Sequence, residues 1–258
     1  MTPPRRTLGT EACLAAIERH SLGLAAASRA DLGAAVEHCP GWSVADLLWH
    51  VTGVQWFWAT IAEERLDSPP DESRRPSRPS DDALLDTFEK GARRLVDVLR
   101  AADQDRECWT WAPGHQHVAF ITRHQVQEAA VHHWDAVHAS GGSLALEPEV
   151  AADAVSEFLT VSVSTDADPA TAADDRPMPL PLTSTFALVA TDAGRAWTIT
   201  DGSTPSTLAV SEGHDGEAPA MQASASDLLL WLYRRVDVDL GPVPSEVVER
   251  FRGLTHTD

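Results

Sequence analysis

The sequence has few cysteines, few basic residues and no long apolar segment. Its 258 residues include only three cysteines and no C-x-x-C pair, which argues against a disulfide framework and a zinc-cysteine site. Lysine and arginine number 20 against 39 aspartates and glutamates, so the net charge is −19. Nucleic acid is therefore not an expected partner, because binding to phosphates requires clusters of basic residues. No run of about 18 apolar residues indicates a membrane span, and the first residues contain no apolar signal segment, which favours a cytoplasmic location.

Several catalytic signatures are also missing. There is no G-x-S-x-G, no phosphate-binding P-loop and no G-x-G-x-x-G, so neither a serine hydrolase nor a common nucleotide-binding enzyme is indicated. The chain is instead rich in histidine, with 11 residues, and its aromatic residues are mostly tryptophan, nine against one tyrosine and six phenylalanines. This aromatic composition is more typical of helix packing and pocket walls than of a β-sandwich.

The first half of the chain predicts a helical bundle. Ser43, with Asp46 three residues later, resembles a capping box at the start of the second helix. The apolar spacing in that helix places His50 on an inward stripe, together with Leu47, Val54, Phe57 and Ile61. The other predicted helices run from a cap at Thr10 to about Ala30, from Ser80 through Leu84, Phe88, Ala92, Leu95 and Leu99, from about Phe120 to His138, and over 148–159.

The second half has a different composition, which predicts a separate domain. Residues 164–181 are rich in Pro, Ala and Asp and form the candidate linker between domains 1–163 and 182–258. Alternating segments at 183–191 and 195–200 predict two strands. Two helices should follow, one from a cap at Ser224 or Ser226 to Val236, and one over 245–254. The predicted fold class is therefore α+β. The 67–80 segment, rich in Pro, Ser and charge, is predicted to be a loop.

Three residues on these helices predict a metal site. Glu128 and His132 are four residues apart, so both side chains leave the same face of their helix, and Asp135 extends that face. His50 supplies a third ligand from the second helix. Two imidazoles and one carboxylate with an open coordination position are typical of catalytic zinc.

Other interpretations compete with the metal site. A Glu-x-x-x-His pair is often a solvated surface pair, and a single inward histidine is often hydrogen-bonded in the core. Further histidines crowd the same region, and we interpret them as supporting or surface groups: His115, His117, His124, His133 and His138. Arg234 and Arg235 follow an apolar helix, where they either complement the helix dipole or bind a carboxylate.

Four blocks in order along the chain resemble the mycothiol-dependent maleylpyruvate isomerase family, whose members are typical of actinobacteria. They are PGWSVADLLWHV at 40–51, CWTW at 108–111, EAAVHHWDA at 128–136 and DLLLWLYRR at 227–235. The resemblance implies an N-terminal antiparallel four-helix bundle of the DinB-like superfamily, followed by a smaller sterol-carrier-protein-like α/β domain.

The resemblance also implies a site and its cofactors. The metal ligands would be His50, Glu128 and His132, the low-molecular-weight thiol would be mycothiol, and Arg235 would face the active site. The sequence departs from the family pattern at Gln127, where His is expected, at His133, where Arg is usual, and at Arg234, where Gly is usual.

The function expected from these observations is that of a zinc-dependent, mycothiol-using isomerase acting on a small anionic unsaturated substrate, as a monomer or homodimer. A metal-bound thiol is deprotonated at neutral pH. Its addition to a double bond, rotation and elimination would isomerise the substrate, with a substrate carboxylate held by Arg235. Two alternatives stay open: a metal-dependent mycothiol S-transferase for detoxification of electrophiles, and a non-catalytic ligand-binding or regulatory protein on the same fold.

Overall fold

The computed structural model describes residues 7–163, 185–204, 207–214 and 216–256. The chain divides into two compact units, Met1–Ala145 and Leu146–Asp258. Four long helices build the first unit, and a four-stranded sheet with three helices builds the second. This confirms the predicted α+β class. None of the helices in the described ranges combines the length and the apolar character needed to cross a bilayer.

The first unit consists of four helices and one short 3-10 segment at Glu72–Arg74. The helices are α1 Thr10–Ser28, α2 Val44–Glu64, α3 Asp81–Ala101 and α4 Val118–Ala139. The predicted capping box at the start of α2 is present. The Ser43 side chain accepts a hydrogen bond from the Asp46 backbone N–H, and the Asp46 carboxylate accepts one from the Ser43 N–H.

The core of the first unit lies where α1 packs on α3 and α4, and where α2 packs on the same two helices. Leu24, Leu47, Leu48 and Phe88 are fully buried there. Removing each such side chain from water stabilises the fold by about 1.5–3 kcal/mol. The predicted inward stripe of α3 is confirmed, since the side chains at its positions are all buried: Leu84, Phe88, Ala92, Leu95 and Leu99.

Two details of the predicted helices were wrong. Gly9, not Thr10, is the N-cap of α1, and no side chain caps that end. The stripe through His50 on α2 does not face the core along its whole length, because His50, Val54 and Phe57 are only partly buried. The buried residues of α2 form more than one row along the helix. The row that contains His50 therefore lies nearer the edge of the bundle than its core.

The second unit begins with a helix and continues with a small mixed sheet. Its helices are α5 Pro148–Val161, α6 Ala225–Leu232 and α7 Ser245–Gly253, and its strands are β1 Phe186–Ala190, β2 Arg195–Asp201, β3 Leu208–Glu212 and β4 Ala220–Ala223. The strand order is β3-β2-β1-β4, with β1 antiparallel to β2 and parallel to β4. Trp197 on β2 and Trp231 on α6 are almost fully buried.

The position of α5 differs from the expected one. The helix was expected to close the first domain, but it falls in the second unit, where it packs on α6. Two hydrogen bonds to the Ser156 hydroxyl fix it to β2, 2.7 Å from the Trp197 indole Nε1 and 2.7 Å from Arg195 Nη2. The predicted linker over 164–181 lies outside the described residues.

The end of α6 was also predicted wrongly. Ser224 caps its start, as one of the two alternatives had it, but the helix ends at Leu232 and not at Val236. Arg234 has a left-handed backbone with φ 62°, and the Arg235 N–H donates to the Leu230 carbonyl at 2.8 Å. This is a Schellman-type ending, in which the left-handed position favours glycine because glycine has no Cβ. The left-handed backbone at Arg234 therefore explains why the resemblance leads to the expectation of glycine at this position.

Candidate metal centre

The three predicted ligands come together where α2 passes α4. His50 Nε2 lies 3.3 Å from Glu128 Oε1, and His132 Nε2 lies 3.5 Å from the same oxygen. The ligand atoms of all three residues lie within 4.8 Å of one another. Two ligand atoms bound tetrahedrally to one zinc ion, each at about 2.0–2.2 Å, are about 3.3–3.5 Å apart. The observed spacing fits one divalent cation between the three side chains.

The carboxylate of Glu128 is the charged centre of this cluster. Burial by itself would raise the pKa of Glu128, but the charge of His132 and the contact with His50 outweigh it and lower that pKa to about 2. Glu128 is therefore ionised at neutral pH, although only 14% of its side chain is exposed. Among the described residues, none donates a well-aligned hydrogen bond to Oε1. A cation placed among the three side chains would be attracted to this carboxylate.

Asp135 orients one of the two imidazoles. Its Oδ2 lies 2.9 Å from His132 Nδ1, and its side chain is fully buried. A carboxylate at Nδ1 can accept the Nδ1–H, so Nε2 is the nitrogen that faces Glu128. This carboxylate–histidine arrangement is the usual support of a metal-ligating imidazole. The indole of Trp42 packs against the other imidazole, with ring centroids of Trp42 and His50 5.0 Å apart.

The site is accessible from the side of His50. This side chain is 31% exposed, whereas His132 and Glu128 are 10% and 14% exposed. His50 lines an open pocket of about 240 Å³ together with Gly53, Val54, Trp56, Phe57, Trp58, Glu72 and Arg75. Arg75 was not predicted as a site residue, because it lies in the 67–80 segment, whose composition predicts only a loop. The sequence feature that could have identified it is a pair of arginines between prolines in a strongly acidic chain.

A second cluster lies near the end of α4. Glu37, His38 and His138 also have ligand atoms within 4.8 Å of one another. His138 Nε2 lies 2.9 Å from Glu37 Oε2, and its ring stacks on Trp134 with centroids 4.6 Å apart. Glu37 and His138 are exposed and already paired, with side chains 69% and 39% exposed. This cluster has no buried ionised oxygen that needs a cation, so it fits a metal less well than the first.

The other histidines of the first unit make contacts within it. His117 caps α4 by accepting a hydrogen bond from the Phe120 N–H. His124 Nδ1 lies 2.9 Å from Gln127 Nε2, and both side chains are buried. His133 Nδ1 lies 3.1 Å from His20 Nδ1. His115 packs against Phe120, with ring centroids 5.6 Å apart.

These observations define a helical bundle with a two-histidine, one-carboxylate centre that opens to a pocket. Residues 13–137 match the family model for the mycothiol maleylpyruvate isomerase N-terminal domain, a range that includes all three candidate ligands. This part of the chain is therefore similar to the N-terminal domain of that family. No curated protein and no solved structure matches the chain.

Proposed function

We propose that this protein is a metal-dependent isomerase that uses mycothiol and acts on a small anionic unsaturated substrate of the maleylpyruvate type. The observation that carries the proposal is the buried, ionised Glu128 Oε1 facing two imidazole Nε2 atoms. We propose zinc as the ion, because two nitrogens and one carboxylate oxygen leave a tetrahedral position open. The similarity of residues 13–137 to the family's N-terminal domain supports the thiol and the reaction type.

Each side chain of the centre has a separate task in this proposal. His50 and His132 each offer one imidazole nitrogen, and Glu128 offers a carboxylate oxygen. Asp135 keeps the proton of His132 on Nδ1, and Trp42 limits rotation of the His50 ring. A divalent cation bound there would supply Lewis acidity, which lowers the pKa of a thiol. The pocket beside His50 gives the substrate access to the centre.

The proposed chemistry leaves the thiol unchanged. A C–S bond forms when the thiol sulfur adds to one end of the substrate's activated double bond, and the electron pair of that double bond moves onto the conjugated carbonyl. The remaining carbon–carbon single bond rotates. Return of the electron pair breaks the same C–S bond, which gives the trans isomer and releases the sulfur. In an S-transferase the C–S bond would persist.

The test is an assay of purified protein with maleylpyruvate and mycothiol. We expect cis–trans conversion that requires both the thiol and the bound metal, with free thiol constant over many turnovers. Conversion should stop after chelation and resume when zinc is restored. Loss of free thiol in step with loss of substrate would identify an S-transferase. Absence of both reactions in protein that retains its metal would favour the non-catalytic alternative.

Arg235 stays a prediction. It belongs to the second unit, where its Nη1 donates to the Tyr233 carbonyl at 2.8 Å and its guanidinium lies 6.0 Å from the Tyr233 ring centre. If Arg235 holds a substrate carboxylate, Arg235→Ala should retain metal and lose most of kcat/KM. Arg235→Lys should not restore it, because an ammonium cannot form the two parallel hydrogen bonds of a guanidinium. Wild-type kcat/KM in Arg235→Ala would leave this residue only a structural role.

A further inference from the structure

The segment over 71–78, here called the strap, runs alongside α2 and is fixed at both ends. Near the end of α2, Arg74 Nη1 donates to Glu64 Oε2 at 2.9 Å. Near its beginning, Arg78 pairs with Asp46, the residue of the capping box. Hydrogen bonds from Ser43 and from Arg78 lower the pKa of Asp46 to about 2, so this pair is ionised at neutral pH. The position of the strap along α2 is therefore defined by two charged contacts.

Between these contacts, the Arg75 side chain rests on the backbone of α2 at Gly53. A Cβ built on Gly53 would come within 2.3 Å of Arg75 Nη2, so a side chain at this position would move the guanidinium away from the helix. Glycine inside a helix is unfavourable by about 0.5–1 kcal/mol relative to alanine. Gly53 thus leaves space for a guanidinium against the helix, less than one helical turn from His50.

The charge of Arg75 is weakly compensated. In the described ranges its only ion-pair partner is Glu72, whose Oε2 is 3.9 Å from Nη1, and no acceptor within them takes a hydrogen bond from its side chain. Both side chains are exposed, at 42% and 75%, and such pairs contribute little. The guanidinium therefore has donors available for an incoming anion in a chain of net charge −19.

Arg75 and His50 line the same pocket. The rest of its wall includes Trp56, Phe57 and Trp58, so a ligand would meet one cation beside an aromatic surface. Planar guanidinium matches a carboxylate through two parallel hydrogen bonds. The aromatic wall favours a ligand with a short apolar or unsaturated carbon skeleton.

We propose that Arg75, seated on Gly53, forms a carboxylate-binding subsite of the pocket beside the metal centre. The connection of this subsite to catalysis rests on the proposed function, but the subsite itself does not. It would place one carboxylate of a small acidic ligand against the strap and leave the ligand's carbon skeleton on the side of His50. The first unit would then carry its own anion-binding group.

Succinate, an unreactive small dicarboxylate, tests the subsite without turnover. Its binding is measured by calorimetry and by tryptophan fluorescence, with neutral succinamide as the ligand control. Each titration is made with the protein as purified and again after chelation, which separates binding at Arg75 from binding at a metal. We expect Arg75→Ala to weaken succinate binding about tenfold or more in both conditions, since a charge-assisted pair is lost. Succinamide should bind weakly to every variant.

Two further variants make the result specific. Gly53→Ala keeps the positive charge and favours the helix, so it should fold normally and still weaken succinate binding, because its methyl group displaces the guanidinium. Arg93→Ala removes one exposed charge from α3 and should leave succinate binding unchanged. Equal succinate binding by wild type and Arg75→Ala would overturn the subsite. A failure of the isomerase assay with these binding results intact would reject the proposed function alone.

Discussion

We expect the wild-type protein to purify with about one divalent metal ion per chain, and Glu128→Gln and His132→Ala each to purify without it. Glu128 supplies the only negative charge among the three ligands, and glutamine keeps its shape without that charge. His132 is buried and aligned by Asp135, so its loss removes the best-oriented nitrogen. We expect an effect larger than the roughly 10- to 100-fold loss of affinity seen when a supporting residue is changed.

Elemental analysis after dialysis without chelator measures this loss, and circular dichroism verifies that each variant is folded. His138→Ala is the matched control, because it removes a histidine from the same helix and from the second, exposed cluster. It should retain the metal at the wild-type level. Metal that persists in both Glu128→Gln and His132→Ala, or that leaves in His138→Ala, would place the ion elsewhere.

The proximity of Glu128 and His132 could be predicted because the two residues are close in sequence. Helical periodicity alone places Glu128 and His132 on the same face of α4. It also places Asp135 on that face, three residues after His132. The third ligand depended on a longer inference, that α2 packs beside α4 with His50 turned toward it. The capping box at Ser43 set the start of α2 correctly, but it contained no information on how deeply each row of the helix would be buried.

The missed features depend on contacts between distant residues. Arg75 meets Gly53 because the strap is held by Glu64 and Asp46, and none of these pairs has a sequence signature. β4 has only four residues, and β3 does not alternate in burial, so neither gave a period-two signal. The end of α6 was misplaced because an arginine occupies the left-handed position where a glycine would have marked the end.

The membership of α5 shows a different limit. Its apolar face can be recognised in the sequence, but the amphipathic pattern does not indicate which other element packs against that face. The structure answers this through α6 and through Ser156, whose hydroxyl bonds Arg195 and Trp197 of β2. Composition placed the break after α5, at the polar segment, while the contacts place the helix with the strands that follow it.

Asp135→Asn should weaken metal binding by about 10- to 100-fold while leaving the fold intact. The carboxylate of Asp135 only accepts, so it holds the His132 proton on Nδ1 and leaves Nε2 free for a cation. Asparagine has the same shape but offers an NH₂ group as well as an oxygen. When that NH₂ donates to Nδ1, the proton moves to Nε2 and points at Glu128 Oε1, where it competes with the cation.

Competition with a chelator of known zinc affinity measures the change in Kd, and thermal unfolding of the metal-free proteins measures stability. Asp97→Asn, an exposed change of the same kind on α3, is the control and should bind zinc as the wild type does. The buried position of Asp135 sharpens the test, because no solvent reaches it to replace the lost acceptor. Unchanged zinc affinity in a folded Asp135→Asn would mean that His132 keeps its tautomer without the carboxylate, and that Asp135 serves only the packing of α4.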